Sequence, residues 1–283
     1  MMNSRQLAWL IKRHGIEMTH LSQGSHIASI LSVADVVAVL YNDVANINPK
    51  NANDENRDRV VLSKGHAGGA IYAALAEKGF FDREELKTHY QNGSRLSGHV
   101  SHKGIPGVEI STGSLGHGVC MAAGIALNAK LENKDYCTFA IVGDGECDEG
   151  SVWEMALFAN HFKLNKLVVI VDSNKMQSLD YCENTLALAP FAEKWKAFGW
   201  NVIDIDGHDH DQIRNALTAA KNSEDKPTVI IANTVKGKGI SFMEFNILWH
   251  YRFPHEGEEY DTAIKELNEI KPEGVVDPYE VTK

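Results

Sequence analysis

Short β-branched runs alternate with amphipathic stretches through the middle and second half of this 283-residue chain. Four of these apolar runs occupy residues 137–143, 166–173, 201–206 and 228–234. The stretches between them repeat their apolar residues at a helical period. Continuous apolar strands that alternate with helices are typical of a parallel sheet buried on both faces. The sequence therefore predicts an α/β fold, a mainly parallel sheet covered by helices on both faces.

Helices are also predicted outside this region. Apolar spacing indicates helices at residues 4–22, 33–45, 67–78, 114–131, 149–162, 190–199, 210–222 and 261–269. Residues 90–113 lack periodicity, and so long a loop inside a compact domain is usually functional or disordered. Because no linker-like stretch divides the chain, residues 1–283 are expected to form a single domain with an irregular extension from about residue 235.

The composition narrows the classes of function. The formal net charge of −10, from 28 basic and 38 acidic residues, argues against a nucleic-acid surface. Apolar runs such as residues 167–171 are too short for a bilayer, and charge interrupts the N-terminal helix, unlike a signal peptide. The four cysteines form no C-x-x-C pair, and free thiols suit a reducing compartment. We therefore expect a cytoplasmic protein that binds neither nucleic acid nor membrane.

A glycine-flanked acidic turn, GDGECDEG at residues 143–150, follows the first of the four apolar runs. Asp144 lies in this turn, and Asn174 follows the next strand. A right-handed crossover places the ends of both strands at the same edge of the sheet, where ligands bind. Carboxylate and amide oxygens suit Mg²⁺ or Ca²⁺, and Mg²⁺ also takes water and ligand phosphate. In the alternative interpretation these residues are structural: G-D-G forms a tight turn, and Asn174 is a polar cap at the end of its strand.

A second glycine-rich stretch, STGSLGHG at residues 111–118, precedes a predicted helix. A helix N-terminus offers unpaired N–H groups and a favourable dipole to phosphate. Glycine-rich loops alone are weak evidence for an anion site. Together with the metal site predicted at Asp144 and Asn174, this stretch predicts a diphosphate bound between residues 111–118 and residues 143–150.

These segments resemble the thiamine diphosphate-dependent enzymes, in which G-D-G precedes an asparagine by about thirty residues. Here the separation is 174 − 144 = 30 residues. Further stretches are similar to transketolases, and they cover most of the chain: residues 24–41 (GSHIASILSVADVVAVLY), 58–75 (DRVVLSKGHAGGAIYAAL), 97–118 (SGHVSHKGIPGVEISTGSLGHG), and KGKGISF with WH within 236–250.

The resemblance implies the N-terminal subunit of a split, two-chain transketolase. Such an enzyme transfers a two-carbon ketol unit from a ketose donor to an aldose acceptor, using thiamine diphosphate and Mg²⁺ (or Ca²⁺). The family glutamate that protonates the aminopyrimidine lies in a pyrimidine-binding domain, which is not recognised in this sequence. A separate partner polypeptide carrying that domain is therefore expected, in an α₂β₂ heterotetramer.

The resemblance also implies three sets of site residues. The metal would be held by Asp144, Asn174 and the main-chain oxygen of Met176. The cofactor would be contacted by His66, Gly113, Ser114, Leu115, Gly145, Glu149, Asn174 and His250. Glu149 would also lie at the subunit contact. The catalytic histidines would be His26, His66, His99 and His250. They would face the reacting carbonyl, where imidazoles that titrate near neutrality suit proton transfer.

The chain departs from the family pattern after His250, where W-H-G is common and this sequence reads WHYRFP. Tyr251 replaces the glycine, and Arg252 adds a cation. We hypothesise that these two residues narrow the acceptor side of the substrate channel or change its charge, so that it takes a modified or nucleotide-linked sugar. Two alternatives remain open: the α subunit of a 2-oxo acid dehydrogenase, and a regulatory subunit that binds no cofactor.

Overall fold

A computed structural model describes residues 2–280 and shows one five-stranded parallel sheet. The strands are β1 (Arg59–Leu62), β2 (Thr138–Gly143), β3 (Leu167–Ser173), β4 (Asn201–Asp206) and β5 (Thr228–Asn233). Their order in the sheet is β1-β2-β3-β5-β4. In the register, Gly143 pairs with Asp172 and Ser173 pairs with Asn233, so three central strands end close to one level. The predicted parallel α/β fold is confirmed.

Nine α-helices accompany the sheet within the described residues. They are α1 (Ser4–Ser22), α2 (Ile27–Val39), α3 (Gly68–Glu77), α4 (His117–Leu131), α5 (Gly150–His161), α6 (Cys182–Thr185), α7 (Phe191–Ala197), α8 (His210–Lys221) and α9 (Glu258–Glu269). The short helix α6 was not predicted. The prediction of residues 33–45 was wrong at its start, since α2 begins six residues earlier. Every residue of α2 is buried, so it lacks the polar face that marks a helix boundary in a sequence.

The sheet is covered on both faces, as the apolar strands predicted. Successive residues of a strand point to opposite faces. Phe139 and Ile141 of β2 pack with α1, α2, α3 and α8, whereas Ala140 and Val142 pack with α4, α5 and α7. The C-terminal part of the chain also contributes to the interior, because Trp249 and Leu267 pack against α1 and α2. The four cysteines are free thiols, and they are buried or half-buried.

Helix α2 continues into a π-helical turn, Leu40–Val44, and corrects one sequence argument. Residues Ile27–Val44 are long and apolar enough to cross a bilayer, with a mean hydropathy of 1.6, so the judgement that all apolar runs are too short was wrong. In this structure 83% of the stretch is buried inside the protein. A helix that is apolar on all sides is also typical of a protein core.

Candidate functional site

A cavity of about 290 Å³ lies at the carboxyl ends of β2 and β3. Its walls come from the start of α2, the turn before α3, the loop before α4, the turn after β2, the segment after β3 and the C-terminal part. Most residues in the predicted site sets line it: His26, His66, His99, Gly113, Leu115, Asp144, Gly145, Asn174, Met176 and His250. The structure thus brings together segments that are far apart in the sequence.

Two predicted cofactor-contacting residues do not line the cavity. Ser114 and Glu149 are both exposed. Glu149 is the N-cap residue of α5 and lies against the turn at Gly116. A side chain at Gly116 would place its Cβ 2.9 Å from Cβ of Glu149, and the backbone φ of 76° also requires glycine there. Glu149 therefore stands on the outer surface, where it could meet another chain.

The four predicted catalytic histidines form one cluster around His26. The centroid of its ring lies 5.2 Å from that of His66, 5.4 Å from that of His99 and 4.9 Å from that of His250. His26 has a left-handed backbone with φ of 78°, and its N–H donates to the main-chain oxygen of His250 at 3.0 Å. Such backbone strain in a non-glycine residue is concentrated at functional sites.

These imidazoles are neutral at physiological pH, so the expectation that they titrate near neutrality was wrong. Burial, His99 and two lysines lower the pKa of His26 to about 4. Burial and Lys236 lower the pKa of His250 to about 2. Burial also lowers the pKa of His66 and His99. Burial and nearby cations both disfavour an imidazolium, so in this structure each ring is a neutral hydrogen-bonding group.

Two lysines to which the sequence analysis gave no role lie in the cavity wall. Lys64 forms a fully buried ion pair with Asp172 of β3. Nζ of Lys236 lies 2.8 Å from Nδ1 of His250 and 3.2 Å from the main-chain oxygen of Met176. Burial and the charge of Lys64 lower the pKa of Lys236 to about 8. Both lysines stand in stretches used for the resemblance, beside glycines and close to a site histidine.

Asp144 and Asn174 lie at the same edge of the sheet, as the crossover argument predicted. Oδ1 of Asp144 accepts from the main-chain N–H of Gly145 at 2.8 Å, and Oδ2 accepts from that of Lys175 at 2.5 Å. Burial and the nearby Asp172 raise the pKa of Asp144. A buried carboxylate beside another carboxylate is stabilised by a cation.

The donor atoms around Asp144 fit a hard divalent cation. The carboxylate, the side-chain oxygen of Asn174 and the main-chain oxygen of Met176 belong to residues that line the same cavity. These are the ligand types that Mg²⁺ and Ca²⁺ prefer. Residues 2–280 contain no group of three or more His, Cys, Asp or Glu side chains placed to hold a metal, so amide and carbonyl oxygens would have to complete this site.

Of the two glycines beside Asp144, only Gly145 is closely packed. A Cβ at Gly145 would lie 2.7 Å from Cγ of Gln177. At Gly143 the nearest atom would be 3.9 Å away, which is an ordinary contact. The close packing of the turn therefore depends on Gly145.

Glu146 is a site residue that the sequence analysis missed. Its buried carboxylate accepts from the Ser63 hydroxyl, from the Gly116 N–H at 2.9 Å and from the Gly143 N–H at 3.1 Å. These donors belong to the ends of β1 and β2 and to the turn before α4. Glu146 thus ties both glycine-rich segments to the sheet. Its place in the acidic run at 143–150 was the available signal, but spacing alone did not separate it from its neighbours.

Tyr251 and Arg252 point to different surroundings. Tyr251 lines the cavity and is 57% exposed, with its ring centroid 4.6 Å from that of His250. Arg252 donates to Oε1 of Glu259 at 2.6 Å and lies over the ring of Trp249. The guanidinium charge is thus paired outside the cavity wall. The geometry agrees with the hypothesis that Tyr251 narrows the cavity. It does not support the hypothesis that Arg252 changes the charge of the cavity.

Comparisons with known proteins bear on the family of this chain. The family model "Transketolase, thiamine diphosphate binding domain" matches residues 4–247. The chain is 38% identical to one of the subunits of an apulose-4-phosphate transketolase from Phocaeicola vulgatus, over 90% of each chain. It is 43% identical to a 6-deoxy-6-sulfo-D-fructose transketolase subunit from a Clostridium species, over 86% of this chain and 88% of that subunit.

The fold agrees with solved structures as well. The transketolase of Campylobacter jejuni superposes with a TM-score of 0.87 at 30% identity, and the match covers 97% of this chain. The chain spans only 43% of the length of that enzyme. From the domain match and these relatives, the chain belongs to the transketolase family and carries its thiamine diphosphate-binding domain.

Proposed function

We propose that this chain is the diphosphate-binding subunit of a two-chain transketolase. With a partner chain it would transfer a two-carbon ketol unit from a ketose to an aldose. The observation that carries the proposal is the single cavity in which the Asp144 and Asn174 pair faces four clustered histidines. A dehydrogenase α subunit is not favoured, because the relatives are transketolase subunits.

The cavity residues fit a metal–diphosphate group. Asp144, Asn174 and the main-chain oxygen of Met176 would hold Mg²⁺ or Ca²⁺. Gly113, Leu115, Gly145, His66 and His250 would contact thiamine diphosphate, and Ser114 and Glu149 would meet it or the partner from the outer surface. When bound, thiamine diphosphate supplies the nucleophilic carbon and the electron sink of the reaction.

The histidines of this chain would bind and orient the sugar. Because the ammonium of Lys236 donates to Nδ1 of His250, the ring proton of His250 lies on Nε2 and is free to donate. Neutral imidazole donors stabilise a substrate oxygen that gains negative charge. His26, held by its left-handed backbone, would add a second donor or acceptor beside it, and Tyr251 would restrict the access of water and of bulky sugars at the mouth.

A partner chain would close the cavity. Large apolar side chains are exposed in the segments on either side of its mouth: Leu179, Leu186, Phe245 and Leu248. Tyr181 joins these segments by donating to the main-chain oxygen of Phe245 at 3.1 Å. Exposed apolar patches of this kind mark contact surfaces. The relatives that are named as single subunits of a transketolase match this chain over most of their length, which supports a two-chain enzyme, proposed here as α₂β₂ and cytoplasmic.

The substrate is proposed to be a modified sugar. The relatives carry names that specify apulose 4-phosphate or 6-deoxy-6-sulfo-D-fructose rather than a common pentulose phosphate. Tyr251 at the cavity mouth gives this chain a feature that can select among such sugars, because an aromatic ring packs against the apolar face of a sugar and takes up volume.

The direct test is reconstitution. The chain would be co-expressed with the product of the neighbouring reading frame and assayed with thiamine diphosphate and Mg²⁺ on xylulose 5-phosphate, apulose 4-phosphate and 6-deoxy-6-sulfofructose. We expect ketol transfer from at least one donor, and none from a D144A complex. Decarboxylation of pyruvate without ketol transfer would contradict the proposal. Absence of cofactor binding in calorimetry of the assembled complex would favour a regulatory subunit instead.

A further inference from the structure

A partly buried chain of hydrogen bonds leads from α2 to the segment that carries Lys236. The main-chain N–H of Val235 donates to Nε2 of His208 at 2.8 Å, and Nδ1 of the same ring lies 2.8 Å from Oδ2 of Asp35. Since a main-chain N–H can only donate, Nε2 must be the nitrogen without a proton. The ring proton is therefore on Nδ1 and points at Asp35, which fixes both the tautomer and the orientation of His208.

Asp35 is a rigid and charged anchor for this ring. Its oxygens also accept from Nζ of Lys12 at 3.0 Å and contact Nε2 of His210 at 3.2 Å. Burial by itself would raise the pKa of Asp35, but Lys12 and the two imidazoles hold it well below its usual range. Side chains from α1, from the turn before α8 and from the first residue of α8 thus converge on one buried carboxylate of α2, which keeps His208 in place.

On the other side, His208 touches the strand extension that enters the site. Val235 is directly followed by Lys236, whose ammonium donates to Nδ1 of His250. The side chain before Val235 is closely packed, because a Cβ at Gly207 would lie 2.4 Å from Cγ2 of Thr234. The hydroxyl of Thr234 itself donates to Asp172. A change at His208 therefore transmits to the backbone from which Lys236 extends.

We propose that His208 is a positioning residue of the active site: by holding the N–H of Val235 it fixes Lys236 and, through Lys236, the tautomer and orientation of His250. The catalytic consequence rests on the proposed transketolase function. The positioning itself is a property of this chain and can be measured without cofactor, partner or substrate.

Two amide substitutions separate the two bonds of His208. In H208Q the longer side chain can place an amide oxygen where Nε2 accepts from Val235. In H208N the shorter side chain reaches Asp35 but leaves the N–H of Val235 without its acceptor. Nitrogen NMR of the isolated full chain, with signals assigned from H208F and H250F, reports which nitrogen of each ring is protonated.

We expect wild-type His208 to be protonated at Nδ1, and His250 to be protonated at Nε2 in both the wild type and H208Q. In H208N the signals of His250 should move toward a mixture of tautomers. A proton on Nε2 of wild-type His208 would overturn the inference without the need for any variant. Unchanged His250 signals in a folded H208N chain would overturn it as well.

The reconstituted complex gives the catalytic readout. At saturating cofactor, H208N should lower kcat by roughly tenfold with less than about a twofold change in sugar KM, and H208Q should recover most of that loss. An equal loss in both variants would contradict the positioning role. If the wild-type complex transfers no ketol unit, the proposed function fails, whereas the NMR result still decides the inference about His208.

Discussion

Nζ of Lys236 lies 2.8 Å from Nδ1 of His250, and its other hydrogen-bond partners are the main-chain oxygens of Met176 and Gln177. A buried ammonium that is held by neutral acceptors retains a strong field. It acts on the neighbouring imidazole and on any anion that enters the cavity. Several properties of the site that can be measured depend on this arrangement.

Removing the cation should raise the pKa of His250. Burial and the charge of Lys236 lower it to about 2, and K236M deletes the second of these causes. The pKa should then rise toward, but not reach, the ordinary value of 6.5, because burial remains. NMR titration of the His250 ring in the isolated chain measures it. A pKa that stays near 2 in K236M would show that the lysine charge does not act on the ring.

Affinity for a diphosphate anion should decrease above pH 8. The pKa of Lys236 is about 8 in this structure, so the cation is present below that pH and is lost as the pH rises through it. The loss of one favourable charge should weaken binding of Mg²⁺-pyrophosphate by roughly five- to tenfold between pH 7 and pH 9. Calorimetry at several pH values measures this change. K236M should bind weakly throughout, with a much flatter profile over this range.

Acid should destabilise the chain below pH 6.5. The folded-state pKa of His26 is about 4 and that of His250 about 2, whereas both titrate near 6.5 when unfolded. Below pH 6.5 the unfolded state binds protons that the folded state does not bind. The free energy of unfolding therefore decreases as the pH decreases. The limit is about 1.4 kcal/mol per pH unit for each histidine. Urea unfolding between pH 7 and 4.5 should show a smaller slope for H250Q, and equal slopes would rule out this contribution.

Glu146 and Glu149 form a matched pair for testing how the two glycine-rich segments are held together. In the wild type the Glu146 carboxylate accepts hydrogen bonds from the N–H groups of Gly116 and Gly143. Because E146Q places an amide N–H against these donors, it should lower the free energy of unfolding by about 1–3 kcal/mol. E149Q alters an exposed side chain three residues away and should change it by less than about 0.5 kcal/mol.

A second readout separates the roles of these two glutamates. E146Q should weaken Mg²⁺-pyrophosphate binding to the isolated chain, because the two glycine-rich segments lose their common acceptor. E149Q should leave that binding unchanged and weaken assembly with the partner chain. The prediction for Glu146 fails if both variants unfold at the same urea concentration as the wild type.

Asp144 should contribute more to metal binding than to the stability of the metal-free chain. Burial and the proximity of Asp172 disfavour its charge in the metal-free chain, whereas the N–H groups of Gly145 and Lys175 favour it, so these effects should offset each other and D144N should be about as stable as the wild type. The same change removes the only carboxylate among the three proposed ligands. Thermal unfolding should show that Mg²⁺-pyrophosphate raises the Tm of the wild type and has no effect on D144N. A comparable rise in D144N would place the metal elsewhere.

Tyr251 should control which sugars enter. Y251G opens the cavity mouth and should alter the ratio of kcat/KM between bulky and small donors by about tenfold or more, with cofactor affinity little changed. R252Q is the matched control, since Arg252 pairs with Glu259 outside the cavity wall. Unchanged donor ratios in Y251G, or equal changes in both variants, would contradict the assignment to Tyr251.

The sequence by itself determined the parallel sheet, most helix bounds and the edge of the sheet at which Asp144 and Asn174 meet. These follow from local periodicity and from the fixed hand of a crossover. The resemblance added the four histidines, and the structure places them in one cavity. Local pattern failed where burial removed it, as at the start of α2, where every side chain is in the interior.

Only the tertiary structure decided the electrostatics of the site. The pKa values of His26, His66 and His250 depend on burial and on Lys64 and Lys236, which are far from most of them in sequence. Glu146 and His208 gained their roles in the same way, because each contacts main-chain groups of distant segments. Charge interactions and hydrogen bonds depend on distance in space, and the spacing of residues along a chain does not contain that distance.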